Sequence, residues 1–205
     1  MAKKPRRSGP DFSLERAAPG PVCGVDEVGR GPGAGPVLAA AVILDPKAIP
    51  DGLDDSKKLM PERREALYEQ LRVCARIGFG LAEPEEIDRL NIYHAGLVAM
   101  RRAVTALDVT PALALIDGNR CPDALPCEAR AIVGGDGKCL SIAAASIAAK
   151  VARDRLMVCA EARYPGYGFA RHKGYMTAAH RDALARLGPC PIHRFSFGPV
   201  RDSMR

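Results

Sequence analysis

Cys23-Gly24-Val25-Asp26-Glu27-Val28-Gly29-Arg30-Gly31-Pro32-Gly33-Ala34-Gly35-Pro36-Val37 joins two apolar runs through a link of Gly and Pro. The flanking runs, 21–28 and 36–44, read as strands. The second is almost wholly apolar from Val37 to Leu44, so it is expected to be buried on both faces. The short link predicts an antiparallel pair. Asp26 and Glu27 stand side by side at the end of the first strand. Neighbouring strand residues point to opposite faces. They can therefore share a site only if the strand ends or distorts near Glu27.

Outward from this hairpin, 51–58 is a polar loop, and Pro61 opens a helix to about Arg72 with Leu67 and Leu71 on one face. A third strand is predicted over 76–82 and a short acidic helix from Pro84. Asn91 should cap an amphipathic helix in which Ile92, Ala95, Ala99, Met100 and Ala103 recur at helical spacing. Two short strands follow, 112–116 and 131–133, each running into an Asp-Gly turn. A long helix is expected over 141–163, broken by Tyr164-Pro-Gly-Tyr-Gly-Phe169, and a last one from the Thr177 cap to Leu187. The end of the chain, 189–205, reads as irregular and basic. Strands alternating with helices after an initial hairpin define an α/β domain, with a mixed central sheet flanked by helices and a helical C-terminal region.

At 205 residues the chain is most simply one domain over 20–205, preceded by a mobile basic tail at 1–19. Aromatics make up only 5% and Trp is absent, which excludes an extensive base-stacking platform. The net charge is +6, with basic ends around a mildly acidic middle, as suits a protein that meets a polyanion and keeps an acidic pocket. Seven Cys without a CxxC motif exclude a zinc site or disulfide framework. No signal peptide and no apolar run near about 18–20 residues is visible. A cytoplasmic monomer with no membrane contact is expected.

Asp26, Glu27, Asp117 and Asp136 all occupy strand ends, where α/β sheets bind ligands. Converging carboxylates repel unless a cation intervenes, and Mg²⁺ or Mn²⁺ favour such oxygens. A two-metal phosphoryl-transfer site follows, with metals roughly 3.5–4 Å apart. Each Asp-Gly pair taken alone reads equally as a plain turn. Gly29-Arg30-Gly31 reads as a hairpin turn or as a loop whose backbone meets a sugar while Arg30 meets a phosphate. Ser56-Lys57-Lys58 reads as a solvated loop. Lys150, Arg153 and Asp154 read as surface charges with an intrahelical pair, and His180 and His193 as structural. Arg171-His172-Lys173-Gly174-Tyr175 suits a phosphate-and-sugar contact or a buried-tyrosine turn.

Gly24-Val-Asp-Glu-Val-Gly-Arg-Gly-Pro32 closely resembles the opening motif of the ribonuclease HII family. So, collinearly, do Asp55-Ser-Lys-Lys-Leu59, Ile116-Asp-Gly-Asn119, Gly135-Asp136, 141–150 with Arg153-Asp154, Tyr167-Gly-Phe169, His172-Lys-Gly-Tyr175 and His193-Arg-Phe-Ser-Phe197. The resemblance covers about 21–200. It implies a ribonuclease H-like fold and a metal-dependent endonuclease that cleaves RNA paired with DNA. It also implies incision 5′ of single ribonucleotides embedded in duplex DNA, as in ribonucleotide excision repair, leaving 3′-hydroxyl and 5′-phosphate ends. The family's catalytic and metal-holding acids fall on Asp26, Glu27, Asp117 and Asp136. Its substrate-binding positions fall on Gly29, Arg30 and Gly31, which sense the 2′-hydroxyl, on Lys57, and on Tyr175, which stacks on the next deoxyribose. Asp154 is family-typical but is read as structural because it lies inside a helix.

Two departures stand out. Gly33 replaces a usual Leu and should loosen the hairpin slightly, and Met176 replaces a common Gly or Pro. Two other readings are a non-catalytic nucleic-acid binder, against which the four acids speak, and a junction resolvase, against which the Gly-Arg-Gly loop and Lys-Gly-Tyr motif speak.

Overall fold

The runs on either side of the Gly-rich link form β1 (Val22–Val28) and β2 (Val37–Leu44), an antiparallel pair from Cys23 opposite Ile43 to Val28 opposite Leu38. The structure, a computed structural model, describes residues 9–204. With β3 (Ala75–Ala82), β4 (Leu113–Asp117) and β5 (Glu128–Ile132) they build one mixed sheet of order β3-β2-β1-β4-β5. β3 is antiparallel to β2, whereas β4 runs parallel to both β1 and β5. The helices, in chain order, are α1 (Ser13–Arg16), α2 (Pro61–Cys74), α3 (Pro84–Leu90), α4 (Ile92–Thr105), α5 (Leu140–Arg163), α6 (Phe169–His172), α7 (Ala178–Leu187) and α8 (Gly198–Asp202).

The alternation along β2 sorts the core into two layers. Leu38, Ala40, Val42 and Leu44 pack with Leu67 and Leu71 of α2 and with the Ala143–Ala145 run of α5. Val37, Ala39 and Ala41 pack on the other side with Ala95, Ala99, Met100 and Ala103 of α4. β2 is therefore covered on both faces, as its unbroken apolar run predicts. The small residues of α5 let that helix approach the sheet closely. A Cβ on Gly24 would stand 2.1 Å from the Ser141 carbonyl carbon and 2.2 Å from the Ile142 nitrogen. The predicted caps form: Asn91 Oδ1 accepts the amides of Tyr93 (3.0 Å) and His94 (3.2 Å), and Thr177 Oγ1 that of His180 (3.2 Å).

Three expectations shift. β5 begins at Glu128 rather than Ala131 and ends at Ile132. It is a sheet edge whose first three residues are exposed, so no apolar run marks it. Residues 1–8, with Lys3, Lys4, Arg6 and Arg7, lie outside the described residues. The rest of the expected mobile tail is docked. The Asp11 amide donates to the Lys138 carbonyl (3.1 Å), and buried Glu15 accepts the Ser141 amide through Oε1 (2.8 Å). Glu15 thus satisfies a first-turn amide of α5, which the helix itself cannot. Finally, the irregular stretch after 189 is anchored, for His193 and Arg194 are fully buried and α8 closes it.

Close packing sets an opposite-sign prediction at two glycines. Gly24→Ala must push β1 off α5 and should cost about 3 kcal/mol. Gly96→Ala, inside α4 with open space around its Cβ position, should stabilise by about 0.5–1 kcal/mol. Urea unfolding of both variants checks this, and equal effects would contradict it.

Candidate active site

The sheet register decides where the two adjacent acids point. Asp26 lies opposite Ala40 and Glu27 opposite Ala39, so they face α5 and α4 respectively. β1 does not distort at Glu27, because its ladder with β2 continues to Val28. What stops is the parallel ladder, whose last pair is Val25 with Ile116. β4 ends one residue later at Asp117. The acids therefore meet across an open sheet end rather than through a strand break.

Their electrostatics follow from that crowding. Burial pushes the Asp26 carboxyl well above its ordinary value, and the charges of Glu27 and Asp117 add to it. Hydrogen bonds from the Ser146 side chain and the Glu27 amide (2.8 Å) work the other way. The Ser146 hydroxyl is itself fixed by that of Ser56, 2.7 Å away. Burial also raises Glu27, against the pull of Arg30, whose Nη1 lies 3.3 Å from Glu27 Oε1. Burial raises Asp117 as well, and Asp136 adds to it. Asp117 Oδ1 accepts the Gly135 amide at 2.7 Å, which ties β4 to the Gly135–Gly137 turn that carries Asp136. Lys57 Nζ stands 3.7 Å from Asp136 Oδ2. Burial disfavours its charge, but Asp55, Asp136, Asp26 and Asp117 outweigh this and raise its pKa.

All four predicted acids thus belong to one electrostatic group. As the side chains stand, no three His, Cys, Asp or Glu residues among those described are gathered tightly enough to grip a metal ion. Arg30, the Gly135 amide and Lys57 each hold one acid locally. The donor set nevertheless fits a hard divalent cation, since it is all carboxylate oxygen and neighbouring acids help raise the pKa of Asp26, Glu27 and Asp117. Beside it lies a cavity of about 90 Å³ lined by Glu27, Arg30, Tyr93, Asp117, Asn119 and Arg120.

The Gly-rich loop is far from loose. Arg194, fully buried, donates to the carbonyls of Gly29 (2.6 Å), Arg30 (3.0 Å) and Gly35 (2.9 Å). Arg153, also fully buried, donates to those of Ala34 (3.1 Å), Pro36 (2.9 Å) and Lys173 (3.0 Å). Burial lowers their pKa values to about 10 for Arg153 and about 9 for Arg194, so both stay charged near neutrality. Arg153 is therefore not a surface charge, although the Lys150–Asp154 pair beside it forms as expected (2.8 Å). The Gly33 amide donates to the Gly174 carbonyl (3.0 Å), and the Gly33 carbonyl accepts the Arg194 amide (2.8 Å). Gly33 does not loosen the hairpin, because both its polar groups are held. A Cβ there would stand 2.5 Å from Met176 Sδ and 3.4 Å from Val200 Cγ2. The two departures are thus one feature, with Met176 filling the space beside Gly33.

Tyr175 is half-exposed, and its ring edge lies 3.5 Å from where a Gly31 Cβ would be. A buried histidine chain supports it from behind. The Cys190 amide donates to His193 Nδ1 (2.9 Å), which leaves the His193 proton on Nε2, facing His180 Nε2 at 3.1 Å. His180 then donates from Nδ1 to the Tyr175 carbonyl (3.0 Å). His180 and His193 are structural, as expected. Arg194 and Ser146 went unassigned in the sequence and Arg153 was read there as a surface charge; the signal of all three was membership of the stretches that carry the family resemblance.

The sheet order and the acids at its open end are the frame of a ribonuclease H-type endonuclease. A profile of ribonuclease HII matches residues 23–200. The ribonuclease HII of Parvibaculum lavamentivorans is 58% identical over 202 residues, covering 97% of this chain and 75% of that protein. That of Rhizorhabdus wittichii is 58% identical over 193 residues, covering 94% and 95%. The crystal structure of ribonuclease H2 from Pyrococcus horikoshii OT3 matches with a TM-score of 0.75 at 28% identity, over 89% of this chain and 96% of that one. The chain belongs to the ribonuclease HII family and is an endoribonuclease acting on the RNA of RNA–DNA hybrids.

Two predictions come from this packing. Gly33→Leu should cost about 1–3 kcal/mol by displacing Met176. Adding Met176→Gly should recover most of that loss, and strictly additive urea midpoints would contradict the pairing. Burial holds His193 down to about 4, against 6.5 for a free ring. The unfolded chain therefore binds the extra proton between these values, so stability is lost as pH falls from 6.5 towards 4. The melting temperature of His193→Gln should fall less steeply over that interval than that of the parent, and equal slopes would refute this.

Proposed function

We propose that this enzyme cuts 5′ of single ribonucleotides in duplex DNA, as well as cutting the RNA of hybrids, and leaves 3′-hydroxyl and 5′-phosphate ends. The observation that carries this is the approach of the Tyr175 ring to Gly31, four residues from Arg30's partner Glu27 on the same hairpin. Only a ribonucleotide followed by a deoxyribonucleotide offers both a 2′-hydroxyl and a sugar without one. Gly29, Arg30 and Gly31 accommodate the first with backbone and guanidinium groups. Tyr175 stacks on the second.

Asp26, Glu27, Asp117 and Asp136 would hold Mg²⁺ or Mn²⁺, which supplies activation of water and stabilisation of the leaving oxygen. The chain's own groups do the rest. Arg30 is half-exposed and can turn from Glu27 to a phosphate oxygen. Lys57, largely exposed, offsets negative charge beside Asp136 and lies where a second phosphate can reach it. The Gly135 amide keeps Asp117 aimed at the open sheet end.

A labelled duplex with one ribonucleotide tests this directly. The parent should nick it only with divalent metal, and a polymerase should extend the 3′ end produced. Asp26→Asn should lower the rate by about 10³-fold or more while leaving duplex affinity within about threefold. Near-parental turnover in Asp26→Asn, or a product that cannot be extended, would overturn the assignment.

A further inference from the structure

Burying a guanidinium is costly unless its donors are met, and proteins seldom bury two beside each other. Here Arg153 and Arg194 are both fully buried. Each directs all three nitrogens to backbone carbonyls, and those carbonyls belong to two segments only. Five lie on the Gly29–Pro36 loop, and the sixth is Lys173, two residues before Tyr175. Neutral amides could satisfy these carbonyls one by one. A planar, rigid fork does more, because it fixes several of them relative to one another. Arg153 spans the two segments outright, from Ala34 and Pro36 to Lys173. Gly29, with φ 92°, admits it closely, since a Cβ there would stand 2.2 Å from Arg153 Nε.

We infer that Arg153 and Arg194 are positioning residues for junction selectivity: they set the separation between the Gly29–Gly31 backbone and the Tyr175 ring. This rests on the roles proposed above for that loop and that tyrosine. With the separation fixed, a 2′-hydroxyl and the following deoxyribose are read together or not at all. With it slack, the enzyme still cuts RNA in a hybrid, where every sugar carries the hydroxyl, but no longer favours the junction.

The test compares kcat/KM on a duplex containing one ribonucleotide with kcat/KM on a uniform RNA–DNA hybrid. The variants are Arg153→Lys, Arg194→Lys, Tyr175→Ala and each Lys variant combined with Tyr175→Ala. Lys keeps the charge but cannot reach three carbonyls at once. Each Lys variant should lower the ratio of the two efficiencies about tenfold. In the Tyr175→Ala background the same change should add less than about twofold, because it acts through that ring. Equal losses on both substrates, tracking a fall in melting temperature, would mean that the arginines only hold the fold and would overturn the inference. An unchanged ratio in the Lys variants with a lowered ratio in Tyr175→Ala would overturn it while leaving the junction reading intact. An unchanged ratio in every variant would remove both. The two arginines are substituted separately, so a variant that does not fold leaves the other to decide.

Discussion

Carboxylates brought together in a poorly hydrated place repel one another, and this structure concentrates them where β4 stops short beside β1. Asp26 is buried against α5, while Glu27 and Asp117 both disfavour its charge. The surroundings respond with partial compensation only. Amides at Glu27 and Gly135, the paired Ser56 and Ser146 hydroxyls, Arg30 and Lys57 each take up part of the negative charge. The remaining repulsion is a cost carried by the fold. The rest of the molecule must therefore be tightly packed to tolerate it. The Ala-rich contact of α5 with β1 and β2 does that, with Gly24 allowing backbone to touch backbone.

The Gly-rich hairpin lies between two buried charges of opposite sign. On one side are the acids of β1 and β4, on the other the two arginines. Glycine and proline suit this position for a specific reason. They leave the backbone little covered by side chains, so six carbonyls, three of them from Gly29, Gly35 and Pro36 and one from Lys173, can converge on two guanidiniums. What looks flexible by composition is among the most firmly held segments of the chain. The same geometry explains Gly33, whose bonding groups are occupied by Gly174 and Arg194.

The layers of the fold were legible wherever burial leaves a local trace. β2 announced itself by an unbroken apolar run, α4 by its spacing and the Asn91 cap, and α7 by Thr177. Asp26, Glu27 and Asp117 were legible as residues at or near strand ends, whereas Asp136 stands in the Gly135–Gly137 turn, four residues beyond β5. What escaped was set by distant partners. β5 is an exposed edge whose pairing with β4, rather than its own composition, defines it. Glu15 looks like a tail residue until Ser141, 126 positions away, supplies its donor. Arg153 and Arg194 carry charges that usually face water, and only a carbonyl-rich loop more than a hundred residues upstream makes burial tolerable. The first strand does end near Glu27, at Val28, but without distortion, since a break in its ladder with β4 does not require a break in its ladder with β2.

The bond from Arg194 to the Arg30 carbonyl also orders events in time. Its two ends are 164 residues apart in the chain. At about 5–20 residues per second of synthesis, the hairpin leaves the ribosome roughly 8–33 s before its anchor does. During that interval the strands of the hairpin can pair, but the Gly29, Arg30 and Gly35 carbonyls lack the guanidinium that holds them in the finished chain. The final shape of that loop is therefore among the last features the nascent chain can acquire, since its anchor is made so late.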